Sequence, residues 1–156
     1  MTRRAFAVLL IVCATFAGDR VTKLFFFNEP THRILPGIIE TTRHRNFGLV
    51  ANLPVPSWII ISLTMIVLAG IGWKLIDGLR RQAIYDLRAT SYALSLITGG
   101  ALGNLFDRLT MGYVFDWIWI LHRSVINVAD IAIGAGIVWW IIESKNGLRP
   151  HFTTPP

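Results

Sequence analysis

Cysteine occurs once in this chain of 156 residues, at Cys13. An internal disulfide and any multi-cysteine metal site are therefore excluded. Charge is scarce as well. Asp, Glu, Lys and Arg make up 15% of the residues, against about a quarter in ordinary soluble domains. With 53% hydrophobic residues and a mean hydropathy of +0.54, the chain has too little polar surface to dissolve alone. The four histidines, His32, His44, His122 and His151, lack metal-ligand spacing, and no serine stands in a nucleophile elbow. The residue pattern thus names no metal, no cofactor and no Ser or Cys nucleophile.

What is abundant is apolar sequence. A membrane-crossing helix needs about 20 mostly apolar residues. Four windows qualify, at about 5–27, 55–76, 89–109 and 125–142. The expected fold is an all-α polytopic membrane protein, with 1–156 forming one integral-membrane domain. The start, Met1-Thr2-Arg3-Arg4 before an apolar run, imitates a secretory signal peptide. No small-residue cleavage site follows, so the segment is read as retained. Eight basic residues flank the N-terminus, the loop after the second window and the C-terminus, against five on the opposite side. The positive-inside rule then puts both termini in the cytoplasm. The net charge of +6 brackets apolar runs instead of forming a stripe, so anionic lipid is the expected partner and nucleic acid is not.

The external segments are 28–54 and 110–124. The first holds Pro30, Pro36, Gly37, Gly48 and Pro54 between short β-leaning pieces, which predicts a small irregular sheet on the membrane surface. The second carries Asp116. The tail from Pro150 has nothing to bury and is expected to be unstructured.

Two aspartates stand where they are least tolerated. Asp116 lies in Val114-Phe115-Asp116-Trp117-Ile118 and Asp130 in Val128-Ala129-Asp130-Ile131-Ala132. An ionisable group at membrane depth costs several kcal/mol and usually serves a pathway, a partner or a reaction. Two carboxyls brought together there cannot both stay ionised, and one keeps a proton. A neutral acid beside an ionised base is the equipment of an aspartyl hydrolase. Asn104 and Asp107 are three apart, as are Asn127 and Asp130, so each pair shares a helix face; Asp19 and Lys23 are four apart. Each has a plainer reading. Asp19, Arg20 and Lys23 fit residues snorkelling to headgroups, and Asp107-Arg108 fits an end-of-helix ion pair. Gly99 and Gly103 have a spacing that lets helices approach closely. A small proton-coupled transporter using the same Asp, Asn and Arg residues is the alternative function.

Five blocks, in order, resemble the bacterial lipoprotein signal peptidase (signal peptidase II) family. They are Asp19-Arg20-Val21-Thr22-Lys23, Asn46-Phe47-Gly48, Gly99 to Arg108 including Asn104 and Asp107, Val114-Phe115-Asp116, and Asn127-Val128-Ala129-Asp130. The resemblance reaches from the first apolar window to the fourth. Departures are Leu49-Val50-Ala51 after Gly48, Ile126 before Asn127, and Trp117 after Asp116.

The resemblance implies four transmembrane helices with a small external β-cradle, in the bacterial inner membrane. It implies an aspartic endopeptidase without cofactor; the topology puts the site near the outer face, and a monomer is expected. That enzyme removes signal peptides from prolipoproteins, before a cysteine already carrying diacylglycerol. By residue, it implies Asp116 and Asp130 as the catalytic pair. Asn46, Gly48, Asn104, Asp107, Arg108, Asn127 and Ala129 are implied to support the site or bind substrate, and Asp19 and Lys23 to be structural.

Overall fold

The computed structural model describes residues 3–49, 53–80 and 87–147. Four helices and four strands follow one another as α1 (Arg3–Phe26), β1 (Arg33–Leu35), β2 (Ile39–Asn46), α2 (Ser57–Arg80), α3 (Leu87–Met111), β3 (Val114–Ile120), β4 (Ser124–Ile126) and α4 (Val128–Gly147). The expected tail from Pro150 and the Val50-Ala51 departure lie outside the described residues.

Helix α3 is the hub. It packs on α4 and α1, and less extensively on α2. Its glycines make the close approach. A Cβ on Gly99 would lie 2.6 Å from Thr15 Cβ, one on Gly103 2.6 Å from Asp19 Oδ2, and one on Gly100 2.5 Å from the Ala129 carbonyl. Gly136 of α4 answers from the other side, where a Cβ would come within 2.7 Å of the Ala93 carbonyl. Small residues that let backbones touch are the usual cement of helices in lipid.

Among the described residues many large apolar side chains face outward while a group of polar ones is buried beside the apolar core. Leu24, Ile66, Trp58 and Trp73 are at least two-thirds exposed, while Asp19, Asp107, Asp116 and Asn127 are fully buried. Trp58 and Trp73 stand 15 residues apart on α2, about 22 Å along its axis, the separation expected of aromatic belts near the two headgroup layers. By length and composition, α1 and α2 are each apolar enough to cross a membrane, with hydropathies of 1.7 and 2.2. Helices α3 and α4 are similar in length, 25 and 20 residues. Polar groups turned toward the centre of the bundle lower the hydropathy of α3.

The strands form one antiparallel sheet in the order β1-β2-β3-β4. Gly112, at φ 79°, closes α3 by donating its N–H to Arg108 O at 3.2 Å; this left-handed cap lets β3 start two residues later. Phe26 stacks on Trp117 at 3.8 Å and Phe27 meets Phe115 at 5.2 Å, so β3 lies across the end of α1. Between Thr41 and His44, β2 carries one residue more than β3 does between Ile118 and Asp116. This bulge falls beside Asp116, a common position for bulges at sites.

The expected small sheet is present but larger than foreseen, because 114–120 and 124–126 supply half of its strands. The fourth apolar window spans 125–142, whereas α4 runs from Val128 to Gly147. Val125 and Ile126 extend along β3, paired with Trp119 and Ile118. Asn127 then ends the strand and starts the helix.

Candidate active site

Asn127 is the N-cap of α4. Its side-chain Oδ1 accepts the Asp130 N–H at 2.9 Å, and its own N–H donates to Asp130 Oδ2 at 3.1 Å. This is a reciprocal capping box in which Asn and Asp satisfy two otherwise orphaned amides. The cap leaves the Asn127 amide group free to work elsewhere. Its Nδ2 donates to Asp116 Oδ1 at 2.6 Å and to Asn104 Oδ1 at 3.0 Å. Asn104 in turn donates from Nδ2 to Asp130 Oδ1 at 2.8 Å. A strand carboxyl and a helix carboxyl are thereby joined through two neutral amides.

Asn46 completes the arrangement from β2. It pairs with Val114, diagonal to the His44–Asp116 pair, so its side chain shares the face of Asp116. Its Nδ2 donates to Asp116 Oδ2 at 3.0 Å, and its Oδ1 accepts the Gly48 N–H at 3.0 Å. Arg108 donates from Nη2 to the Gly48 carbonyl at 3.0 Å and from Nη1 to the Asn104 carbonyl at 3.4 Å. The reading of Asp107-Arg108 as an ion pair is therefore replaced: Arg108 clamps the segment after β2, and Asp107 pairs with other cations.

Those cations come from α1. Lys23 Nζ lies 2.9 Å from Asp19 Oδ2 and 2.8 Å from Asp107 Oδ2, and donates to Asn104 Oδ1 at 3.0 Å. Arg20 Nη2 lies 2.9 Å from Asp19 Oδ2 and Nη1 2.6 Å from Asp107 Oδ1. Two acids and two bases thus alternate in a buried ring with no net charge. Snorkelling to headgroups does not describe them, since Asp19 and Lys23 are buried and Arg20 largely so.

Burial pushes the Asp116 carboxyl up to about 7, and the negative charge of Asp130 adds to the rise. The amides of Asn46 and Asn127 and the charge of Lys23 act in the opposite direction. Asp116 therefore keeps its proton at pH values where an ordinary aspartate has lost it.

A cleft of about 380 Å³ opens onto the site, lined by Asn46, Asn104, Arg108 and Asp130 on its polar side. Its apolar wall includes Leu49, Val125, Ile126, Ile133, and Ile60 and Thr64 of α2. The last two carry no unusual chemistry in sequence, and only the packing of α2 on α3 reveals them. Every sequence-predicted site residue falls in or directly behind this region. Ala129 belongs through its backbone, whose N–H donates to Asp19 Oδ1 at 3.1 Å. Among the described residues no group of three His, Cys, Asp or Glu side chains has a metal-binding arrangement.

The family described as signal peptidase (SPase) II matches residues 11–145. The chain belongs to that family. Among curated relatives, the lipoprotein signal peptidases of Caldicellulosiruptor bescii and Brevibacillus brevis are each 34% identical over 137 residues. The alignments cover 83% and 84% of this chain and 84% and 86% of those proteins. A bacterial membrane enzyme solved by the in meso method superposes with a TM-score of 0.75 at 23% identity, over 96% of this chain and 93% of that one. A second gives 0.69 at 26% identity over 92% and 93%. Membership makes this an aspartic-type peptidase of signal peptidase II type, and the aspartates described above are its candidate pair.

Proposed function

We propose that this signal peptidase II removes the signal peptide from diacylglyceryl-modified prolipoproteins, with Asp116 and Asp130 as the catalytic pair. The observation that carries the reading is the amide bridge. Asn104 and Asn127 link the buried Asp116 carboxyl to the half-buried Asp130 carboxyl without adding a charge that would hold both ionised.

Asp130 is the carboxylate. It stands in the first turn of α4, where the helix dipole favours negative charge, and it lines the open cleft. Asp116, fully buried and neutral below about pH 7, is the acid. Asp130 takes a proton from water as the water oxygen bonds to the scissile carbonyl carbon, while Asp116 hydrogen-bonds the carbonyl oxygen. The carbon–nitrogen bond then breaks and Asp116 gives its proton to the leaving nitrogen. The products are a new carboxyl terminus and a free amino group, and the proton now on Asp130 passes back to Asp116.

All four helices span the inner membrane in this reading, with the termini cytoplasmic and the sheet outside. The apolar exteriors and the tryptophan spacing on α2 support it. The substrate's acyl chains stay in the bilayer against exposed helix faces, and the substrate arrives by lateral diffusion. Action as a monomer is part of this reading. The testing experiment is incubation of purified protein with a lipid-modified prolipoprotein, with the products identified by mass. Cleavage immediately before the lipid-modified cysteine is expected, and cleavage elsewhere, or none, contradicts the assignment.

A further inference from the structure

We propose that Arg20 is a positioning residue that sets the placement of Asp116 and Asp130 through two backbone amides. This rests on the reading of those aspartates as the catalytic pair. Arg20 touches neither. Its fork spans Asp19 and Asp107, and its guanidinium lies 5.1 Å from the centre of the Phe106 ring.

What matters is where the two carboxylates it joins send their remaining capacity. Asp19 Oδ1 accepts the N–H of Ala129, the residue before Asp130, at 3.1 Å. Asp107 Oδ2 accepts the N–H of Phe115, the residue before Asp116, at 3.2 Å. One carboxylate therefore holds the end of α4 and the other holds β3, each one residue from a reacting side chain. A guanidinium presents its donors in a rigid planar fork, so a single Arg can tie two carboxylates at a fixed separation. The Lys23 ammonium also bridges them, but as a point charge it imposes little orientation. Arg20 thus adds a second, oriented tie between the two amide acceptors, beside the Lys23 ammonium.

Without Arg20, two buried carboxylates share one ammonium and repel. Rotation or protonation of either weakens its hold on Ala129 or Phe115, and the strand and the helix end shift relative to each other. A misplacement of about 1 Å is enough to cost on the order of 100-fold in rate. The lost cation also leaves an extra negative charge behind the pair, which favours retention of the shared proton to higher pH.

The test compares wild type, Arg20→Gln and Arg20→Lys as purified full-length protein, with the folded fraction set by size exclusion and thermal unfolding. Turnover of a diacylglyceryl-modified peptide is measured against pH, and the buried carboxyls are titrated by infrared spectroscopy without substrate. Expected for Arg20→Gln is a kcat about 10- to 100-fold lower per folded molecule, with KM within about threefold. The alkaline limb and the carboxyl titration both move to higher pH, and Arg20→Lys restores part of each. Unchanged kcat and titration, a loss confined to KM, or a loss explained wholly by the folded fraction overturns the proposal. If wild type fails to cleave the peptide, the substrate reading falls. The infrared titration still decides whether Arg20 governs the two carboxyls, and an unmoved titration overturns its role.

Discussion

Asn127 Nδ2 lies 2.6 Å from Asp116 Oδ1 while the same side chain caps the helix whose first turn carries Asp130. One residue therefore terminates a strand, starts a helix and ties together the carboxyls carried by the two. Helix capping and site assembly are the same interaction here, so a substitution at Asn127 changes both.

Asn127→Ala is expected to lower thermal stability by about 1–2 kcal/mol through loss of the cap. It lowers kcat by at least about 10-fold, because Asp116 and Asn104 lose a shared donor. Arg108→Ala releases Gly48 and with it Asn46; it lowers turnover while the protein still accumulates in membranes. Unfolding in detergent and turnover per folded molecule check both, and full activity in both variants would remove these residues from the site.

The cap also marks where sequence reading stopped short. Ser124-Val125-Ile126 continues an apolar run into α4, and hydropathy has no term for a change from strand to helix. The boundary signal is the Asn127-to-Asp130 spacing itself, which fits two polar groups on one helix face as well as it fits a cap. The helices and the glycine contacts were legible because each depends on local pattern, whereas Asn46, Gly48 and Ala129 entered the site through the family resemblance alone. Arg20 was not legible: a cation near a helix end looks the same whether it snorkels or bridges, and only the approach of α3 brings Asp107 to it. Ile60 and Thr64 are invisible for the same reason, being ordinary residues made relevant by packing.

Asp116 gives the pH dependence. Its carboxyl is raised from 3.8 to about 7, so it is a proton donor below about pH 7 and loses that role above. The rate should fall on the alkaline side with an apparent pKa near 7, a value belonging to the coupled pair. Asn46→Ala removes a hydrogen bond that favours the ionised form, so the alkaline limb should move to higher pH. A shift to lower pH, or none, would contradict the assignment of Asp116 as the acid.

The same shift makes a prediction about stability. A carboxyl whose pKa is raised on folding stabilises most below its unfolded value, and that contribution is lost as pH rises through the folded value. Wild-type Tm should therefore carry a decline between about pH 4 and pH 7 from this residue. Asp116→Asn should flatten that part of the curve whatever its effect on the absolute Tm, as measured by thermal unfolding across pH.

Gly100→Ala and Gly103→Ala test the packing that brings α1 and α4 onto α3. At Gly100 the new Cβ meets the Ala129 backbone at 2.5 Å, whereas at Gly103 it meets the Asp19 side chain at 2.6 Å. Overpacking of this kind costs about 1–3 kcal/mol. Gly100→Ala should be the more damaging, since a backbone cannot rotate away. Equal, wild-type-like stability of both would show that the helices are not in this close contact.

The proposed orientation is checked in intact cells. In a Cys13→Ser background, a cysteine placed at Thr31 should react with an impermeant thiol reagent and one at Ser144 should not. The reverse pattern would place the aspartates on the cytoplasmic side, away from an exported substrate.

The central claim is that Asp116 and Asp130 perform the hydrolysis as an acid and a base. Its most direct measurement is turnover of a diacylglyceryl-modified prolipoprotein by Asp130→Asn, with the folded state verified by the wild-type elution profile. The amide cannot take a proton from water, so the account predicts loss of about 10⁴-fold or more, to the limit of detection. Retained cleavage by Asp130→Asn would contradict it, and would leave the buried carboxyl network as a structural device alone.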